Sequence, residues 1–361
     1  MIKLAPIFLF LIFILGTSQA QELTFEEYNP ESTLVVPENP VTRAKFPVVD
    51  VHSHHNMVNK DLSIVVGAMD TLNLAVLVNL SGGSGKKLKD GMANIQKNYP
   101  NRFLQFANVD FSGVGDPGWG TRAAAQLKED HANGAVGLKI FKSLGLRYTD
   151  TQGNRIAVDD ARLDPVWEMC ATLGIPVLIH AADPKSFWDP MDAMNERWLE
   201  LKTRPRRKRN DSDPAPWEQI IAEQHNLFRK HPKTIFINAH MGWYANNLDR
   251  LSELMEEFPN MYVGIGAIIA ELGRQPRRAK VFFTKYQDRI LFGKDSWQPS
   301  EFPTYFRVLE TADEYFPYHK KYHAFWAMYG LDLPDSILKK VYYQNALKIL
   351  PSLDRSLFPG S

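Results

Sequence analysis

Residues 46–55 read FPVVDVHSHH, a mainly apolar run that ends in a cluster of histidines. The alternation of a β-strand puts Asp50, His52 and His54 on one face and His55 on the other. Two imidazoles two residues apart at the end of a buried strand can grip one metal ion, because neutral imidazole nitrogen is a favoured ligand of zinc and neighbouring divalent metals. For these residues alone the competing reading is a His-rich turn whose rings bond to the backbone.

Outward from this stretch, short β-branched or apolar runs alternate with helical patterns. Candidate strands lie at 46–52, 74–80, 102–109, 136–142, 175–180, 234–240, 261–266 and 290–295, with starts mostly 27–39 residues apart. That is the spacing of a strand, a crossover helix and two loops. Leu62, Val65, Val66, Met69 and Leu72 illustrate the helical half, one apolar face at a period near 3.6, and further helices are predicted at 219–230, 248–258 and 337–350. Eight such units predict an α/β fold, a (β/α)8 TIM barrel over 45–353, with a doubly wound open sheet as the alternative. A polar extension at 21–44 precedes it and a tail at 354–361 follows.

One interval is about 20 residues longer than the rest, an insertion after strand 5 at 183–217 that carries Trp188, Trp198, Trp217 and the basic run 204–209. Following a strand, it belongs on the C-terminal face of the barrel, where it is a candidate lid. The basic run reads as a solvated loop, or else as a wall facing an anion. The stretch SGGSGK at 81–86 looks phosphate-binding but lacks the first Gly and the Ser/Thr of a P-loop, so it reads as a flexible βα loop.

The chain has 361 residues, enough for one large domain with a sizeable core. Its 42 basic and 41 acidic side chains exert no global pull on nucleic acid, which points to a small-molecule partner and no nucleic acid. At 1–20, Lys3, an apolar run and Ser18-Gln19-Ala20 form the pattern of a signal peptide, so the expectation is export to the periplasm or the extracellular space with no stable membrane anchor after cleavage. The single cysteine, Cys170, allows no intramolecular disulfide, so core packing, with or without a metal, must hold the fold. Oligomeric state, including a homo-oligomer, is left open by the sequence.

Polar residues at the ends of otherwise apolar strands carry the chemistry. The fifth strand runs into His180, the sixth into His240 and the eighth into Asp295. A lone terminal His or Asp is ordinarily structural, but in a closed barrel these three would meet His52 and His54 at one mouth.

With these motifs the chain resembles the amidohydrolase superfamily, and within it the amidohydrolase-related group that includes aminocarboxymuconate-semialdehyde decarboxylase. The motifs are VDVHSH (49–54), GLKIFK (137–142), PVLIHAAD (176–183), NAHMGW (238–243), ILFGKDS (290–296) and YYQNALKIL (342–350). The resemblance implies that His52, His54, His180 and Asp295 ligate one divalent ion, with zinc the expected metal. It implies that His240 contacts the reacting water or substrate. Lys139 matches a fourth-strand lysine that contacts substrate or, in some branches, is carboxylated and bridges two metals. Trp243 and Lys294 stand where family members often carry Gly and Thr. The activity implied is a metal-dependent hydrolase of an ester, lactone or amide, in which Asp295 moves the proton and His240 orients the nucleophile or stabilises the developing oxyanion. Non-oxidative decarboxylation is the alternative, and a non-catalytic binding protein ranks last. Asp50 reads as a partner of a ligand histidine or as a structural carboxylate, and His55 as structural.

Overall fold

In a computed structural model, residues 22–24, 26–210 and 215–360 are described; the expected signal segment 1–20 lies outside them. The chain divides into two compact units, 1–34 and 35–361. Within the first, Thr24 Oγ1 donates to Glu27 Oε2 at 2.9 Å in a single turn. All that follows concerns the second.

Eight strands pair in sequential order: β1 (Val48–Ser53), β2 (Leu74–Asn79), β3 (Phe103–Asn108), β4 (Ala135–Ile140), β5 (Val177–Ile179), β6 (Phe236–Asn238), β7 (Met261–Gly264) and β8 (Ile290–Leu291). Every ladder is parallel. The ring closes where Val51 N–H donates to Phe292 O at 3.0 Å and Asp295 N–H donates to His52 O at 2.8 Å. Helices α1 (Ser63–Leu72), α2 (Gly85–Asn98), α3 (Trp119–Ala132), α4 (Asp164–Leu173), α5 (Trp217–Lys230), α6 (Leu248–Glu257), α7 (Pro276–Tyr286) and α8 (Phe302–Glu310) follow the strands in turn. This is the expected (β/α)8 barrel. Strands buried on both faces need continuous apolar runs, which is why LAVLVN and VLI serve as β2 and β5.

The strands that lead to the mouth are shorter than the sequence predicts. β5, β6 and β8 stop before His180, His240 and Asp295, which lie one, two and four residues past their ladders. Pairing ends because the backbone turns. His240, Met241, Gly242 and Trp243 have φ of 56°, 52°, 62° and 63°, and Asp295 has 82°. Runs of left-handed residues cost about 1–2 kcal/mol each where a Cβ is present, so this turn persists only because its surroundings hold it.

The insertion is packed rather than loose. It forms the turn Lys185–Phe187, the helix Trp198–Thr203 and the turn Pro205–Arg207. Trp188 and Trp217 are buried, with indole N–H groups donating to Ala215 O and Asp183 O at 3.0 Å each. The basic run is a solvated loop only in part: Arg204 and Arg206 are exposed, while Arg207, Lys208 and Arg209 turn inward. Arg207 pairs with buried Glu200, Arg209 with buried Asp183, and Lys208 Nζ donates to Phe187 O at 3.0 Å. Carboxylates on neighbouring turns draw these cations inward. The predicted terminal helix is interrupted by a π turn, Lys340–Gln344, and the 354–361 tail docks by stacking Phe358 on Tyr343 at 5.2 Å. Cys170 is buried and free. Among the described residues no helix is long and apolar enough to cross a membrane.

Candidate metal centre

The barrel brings His52, His54, His180, His240, Asp295 and Lys139 to its C-terminal mouth. His52, on β1, is fully buried; its N–H donates to Asp50 Oδ1 and its carbonyl accepts the Asp295 N–H. A Cβ on Gly293 would come within 2.9 Å of His52 Cβ, and one on Gly266 would stand 3.3 Å from His52 Nδ1. Only glycine at 293 leaves the imidazole its place.

His52 Nε2 lies 3.4 Å and His54 Nε2 3.6 Å from Asp295 Oδ1. These gaps exceed ordinary hydrogen bonds of about 2.7–3.2 Å. They match the edge of a tetrahedron around an ion whose ligands sit about 2.1 Å away, an edge of about 3.4 Å. One donor atom each from His52, His240 and Asp295 lies within 4.8 Å of the others. His180 Nδ1 is 3.2 Å from His240 Nε2, and the ring centroids of His52 and His240 are 5.1 Å apart. His240 Nδ1 donates to Gly266 O at 2.7 Å, so its Nε2 presents a lone pair toward the cluster.

Electrostatics keep the imidazoles neutral, as metal ligation requires. Burial, followed by the charge of Lys139, pushes His52 well below the usual histidine range and His54 to about 4. Burial and the neighbouring His240 and Lys139 do the same to His180, and burial lowers His240. Lys139 is itself brought down to about 7, chiefly by burial. Among the described residues its Nζ has no hydrogen-bond partner, nor have His52 Nδ1 and His180 Nε2. The donor set therefore fits a divalent ion: neutral nitrogens and one carboxylate, with His180 Nε2 and Lys139 Nζ buried beside them and unpaired among the described residues.

Asp50 resolves as structural. Its Oδ1 accepts from His52 N at 2.9 Å and Lys294 N at 3.1 Å, tying the two sides of the barrel seam, and burial raises the carboxyl to about 7. His55 packs edge-on to Trp297 at 5.1 Å, away from the cluster. Lys294 also points away, pairing with Glu301 and donating to Ser296 O at 2.8 Å. Trp243 stacks on His240 at 4.4 Å and donates Nε1–H to Ala181 O at 3.0 Å. Its ring also borders a cavity of about 200 Å³ lined by Ile268 and Glu271.

Some contributors were not singled out by sequence. Lys142, just past β4, and Arg209 of the insertion share the buried carboxylate of Asp183. Lys142 acts on the titration of Lys139, His180 and His240, which puts its charge beside the cluster. Asp183 carried the same signal as His180, a polar residue ending an apolar run.

A closed barrel with histidines and an aspartate converging at its C-terminal mouth defines a metal-site TIM-barrel protein of the enzyme type. The family model described as Amidohydrolase matches residues 80–351, and the chain belongs to that family, one of metal-dependent hydrolases and decarboxylases. No curated protein matches the sequence. Among solved structures, the barrel is similar to 2,6-dihydroxybenzoate decarboxylase from Rhizobium, with 14% identity, a TM-score of 0.56, and 85% of this chain and 99% of that one covered. It is similar to dihydroxybenzoic acid decarboxylase from Polaromonas sp. JS666 with bound manganese, at 14% identity and a TM-score of 0.56, covering 86% and 99%. An uncharacterized TIM-barrel protein from Bordetella bronchiseptica matches at 15% identity and a TM-score of 0.52, covering 84% and 98%.

Proposed function

We propose that the chain is a metal-dependent hydrolase that cleaves an ester, lactone or amide bond of a small molecule. The observation that carries this reading is the approach of the His52 and His54 Nε2 atoms to Asp295 Oδ1 at 3.4 and 3.6 Å, with every imidazole neutral. His52, His54, His180 and Asp295 would hold one divalent ion, zinc being the expected metal. Such an ion would polarise a carbonyl oxygen and lower the pKa of bound water to about 7. Asp295 accepts the proton of the attacking water and returns it to the leaving group. His240, its Nδ1–H fixed on Gly266 O, keeps Nε2 as an acceptor 3.2 Å from His180 Nδ1, and it orients that water once the His180 contact gives way. Lys139 contacts substrate; a carboxylated Lys139 bridging two ions is the alternative use of its buried, unpaired amine. Among the described residues, Lys142 and Arg209 set two cations against the one carboxylate of Asp183, which favours a substrate that carries an anionic group.

Non-oxidative decarboxylation of a small carboxylate is the second reading, supported by the two decarboxylases of similar fold, one holding manganese. The test is metal analysis of purified protein, followed by turnover of esters, lactones, amides and aromatic carboxylates by wild type and Asp295→Asn. Stoichiometric metal with solvent oxygen entering the product supports hydrolysis. Release of carbon dioxide without it gives decarboxylation, and absence of metal with His52→Ala leaving ligand binding unchanged overturns both. We further propose export; a mature N-terminus at Gln21 in protein recovered from cells is the expected result.

A further inference from the structure

Ser81 opens a Gly- and Ser-rich loop that looks slack in the sequence, yet it is held from several sides. Its N–H donates to Asn79 Oδ1 at 3.2 Å, and the same oxygen accepts His55 N–H at 2.9 Å. Asn79 Nδ2 donates in turn to Gln105 Oε1 on β3 at 3.0 Å, and both amides are fully buried. The next residue, Gly82, lies so close to β3 that a Cβ would come within 2.4 Å of Phe106 O, which leaves only glycine room there. One amide oxygen therefore ties the loop after β1 to the loop after β2 and sets the spacing between them. The result is a contact of 2.9 Å between Ser81 Oγ and His54 Nδ1.

His54 has a particular need for such a contact. His52 is wedged beside two glycines, and His240 is fixed by a backbone carbonyl. The His54 side chain is 29% exposed against 1% for His52, and Ser81 is the one hydrogen-bond partner of its ring among the described residues. Without that partner the ring can rotate about its Cβ–Cγ bond and exchange tautomers. A metal-binding imidazole works when its second nitrogen is held as a donor to a fixed acceptor.

We infer that Ser81 is the positioning residue for His54, with Asn79 as the anchor that holds Ser81 in reach. Nδ1–H of His54 donates to Ser81 Oγ, the proton stays off Nε2, and the Nε2 lone pair faces Asp295. This rests on the metal reading proposed above.

The test compares zinc dissociation constants of wild type, Ser81→Ala and Ser81→Thr, measured by competition with a chromophoric chelator, alongside thermal midpoints of the three metal-free proteins. Ser81→Ala is expected to bind zinc about 10–100-fold more weakly. Ser81→Thr, which retains the hydroxyl, is expected to recover most of that loss, and the metal-free midpoints are expected to coincide. Equal zinc affinity in wild type and Ser81→Ala overturns the inference alone. So does a metal-free Ser81→Ala that melts well below wild type, which would make Ser81 a fold residue. Wild-type protein that takes up no zinc overturns the metal reading itself.

Discussion

Two clusters of buried polar side chains share the C-terminal face of the barrel, and they are built on opposite plans. In the insertion, Arg197 bonds both Glu200 and Glu271, Arg207 bonds Glu200, and Arg274 stacks on Trp326 at 3.8 Å while pairing with Glu196. Nearly every charge there has a protein partner; Glu271 Oε2 and Arg209 Nε are the charged-group atoms left over among the described residues. At the mouth, Lys139 Nζ and His180 Nε2 have none among the described residues. A buried polar atom without a partner costs about 1–3 kcal/mol. A fold that satisfies one cluster and leaves the other open a short distance away keeps the second for something that binds. The paired cluster locks the insertion to the loops after β7 and α8; the open one is where the chemistry belongs.

That contrast predicts opposite outcomes for substitutions in the two clusters. Asp295→Asn is expected to lower turnover by about 10³-fold or more, equivalent to about 4 kcal/mol of barrier. Denaturant melts of the metal-free protein should show it no less stable than wild type, because the site is unsatisfied to begin with. Arg197→Ala should behave the other way. It strands Glu200 and Glu271 in a buried setting, and a broken buried pair costs about 3–5 kcal/mol. Urea unfolding would read that loss, while zinc affinity of the folded fraction should stay at the wild-type value. If Arg197→Ala weakened metal binding as much as stability, the two clusters would not be independent.

Most of the barrel and much of its mouth were legible in the sequence, for one physical reason: strands buried on both faces must be apolar throughout, so a polar residue at the end of such a run stands out. His180, His240 and Asp295 were visible in that way. What periodicity could not show was where the ladders stop. The left-handed turn at His240–Trp243 and the φ of 82° at Asp295 come from closing the mouth, and no local pattern marks them. Asn79 gave the same signal as His180 but lies at the end of β2, and the Gly-rich residues after it suggested mobility. The packing of Gly82 against Phe106 O removes that mobility through a contact 24 positions away in the chain. The inward turn of the basic run was equally hidden, since its partners Glu200 and Asp183 are identified only by the folded insertion.

Loading and stripping the open cluster gives a smaller effect. Ligand bound to the native state alone stabilises it by about 2.7 kcal/mol at a hundredfold excess over its dissociation constant. Zinc at that ratio should raise the thermal midpoint and a chelator should reverse it. His52→Ala should abolish the response, whereas Arg197→Ala should lower the baseline yet keep it.

The smallest effect is acid sensitivity within the paired cluster. His323 lies 3.5 Å from Glu200 Oε1 and 3.5 Å from Arg207 Nη1, with Tyr318 OH 3.4 Å from its Nδ1. Burial, and after it the charges of Arg197, Lys320 and Arg207, hold its imidazole at about 2, so it stays neutral in the folded protein. In the unfolded chain the ring takes up a proton near its ordinary 6.5. The unfolded state then binds more protons below that value, so the contribution of His323 is complete above pH 6.5 and is lost as pH falls toward the folded value. Over the first unit the loss is about 1 kcal/mol. The site histidines share this sign, so the measurement is a difference: wild type and His323→Asn, both metal-free, unfolded in urea at pH 7.5 and 5.5. The variant should lose less stability between the two pH values. Equal slopes would mean that His323 is protonated within the cluster at pH 5.5, with Glu200 accepting its charge, and the paired network would then hold a third cation beside Arg197 and Arg207.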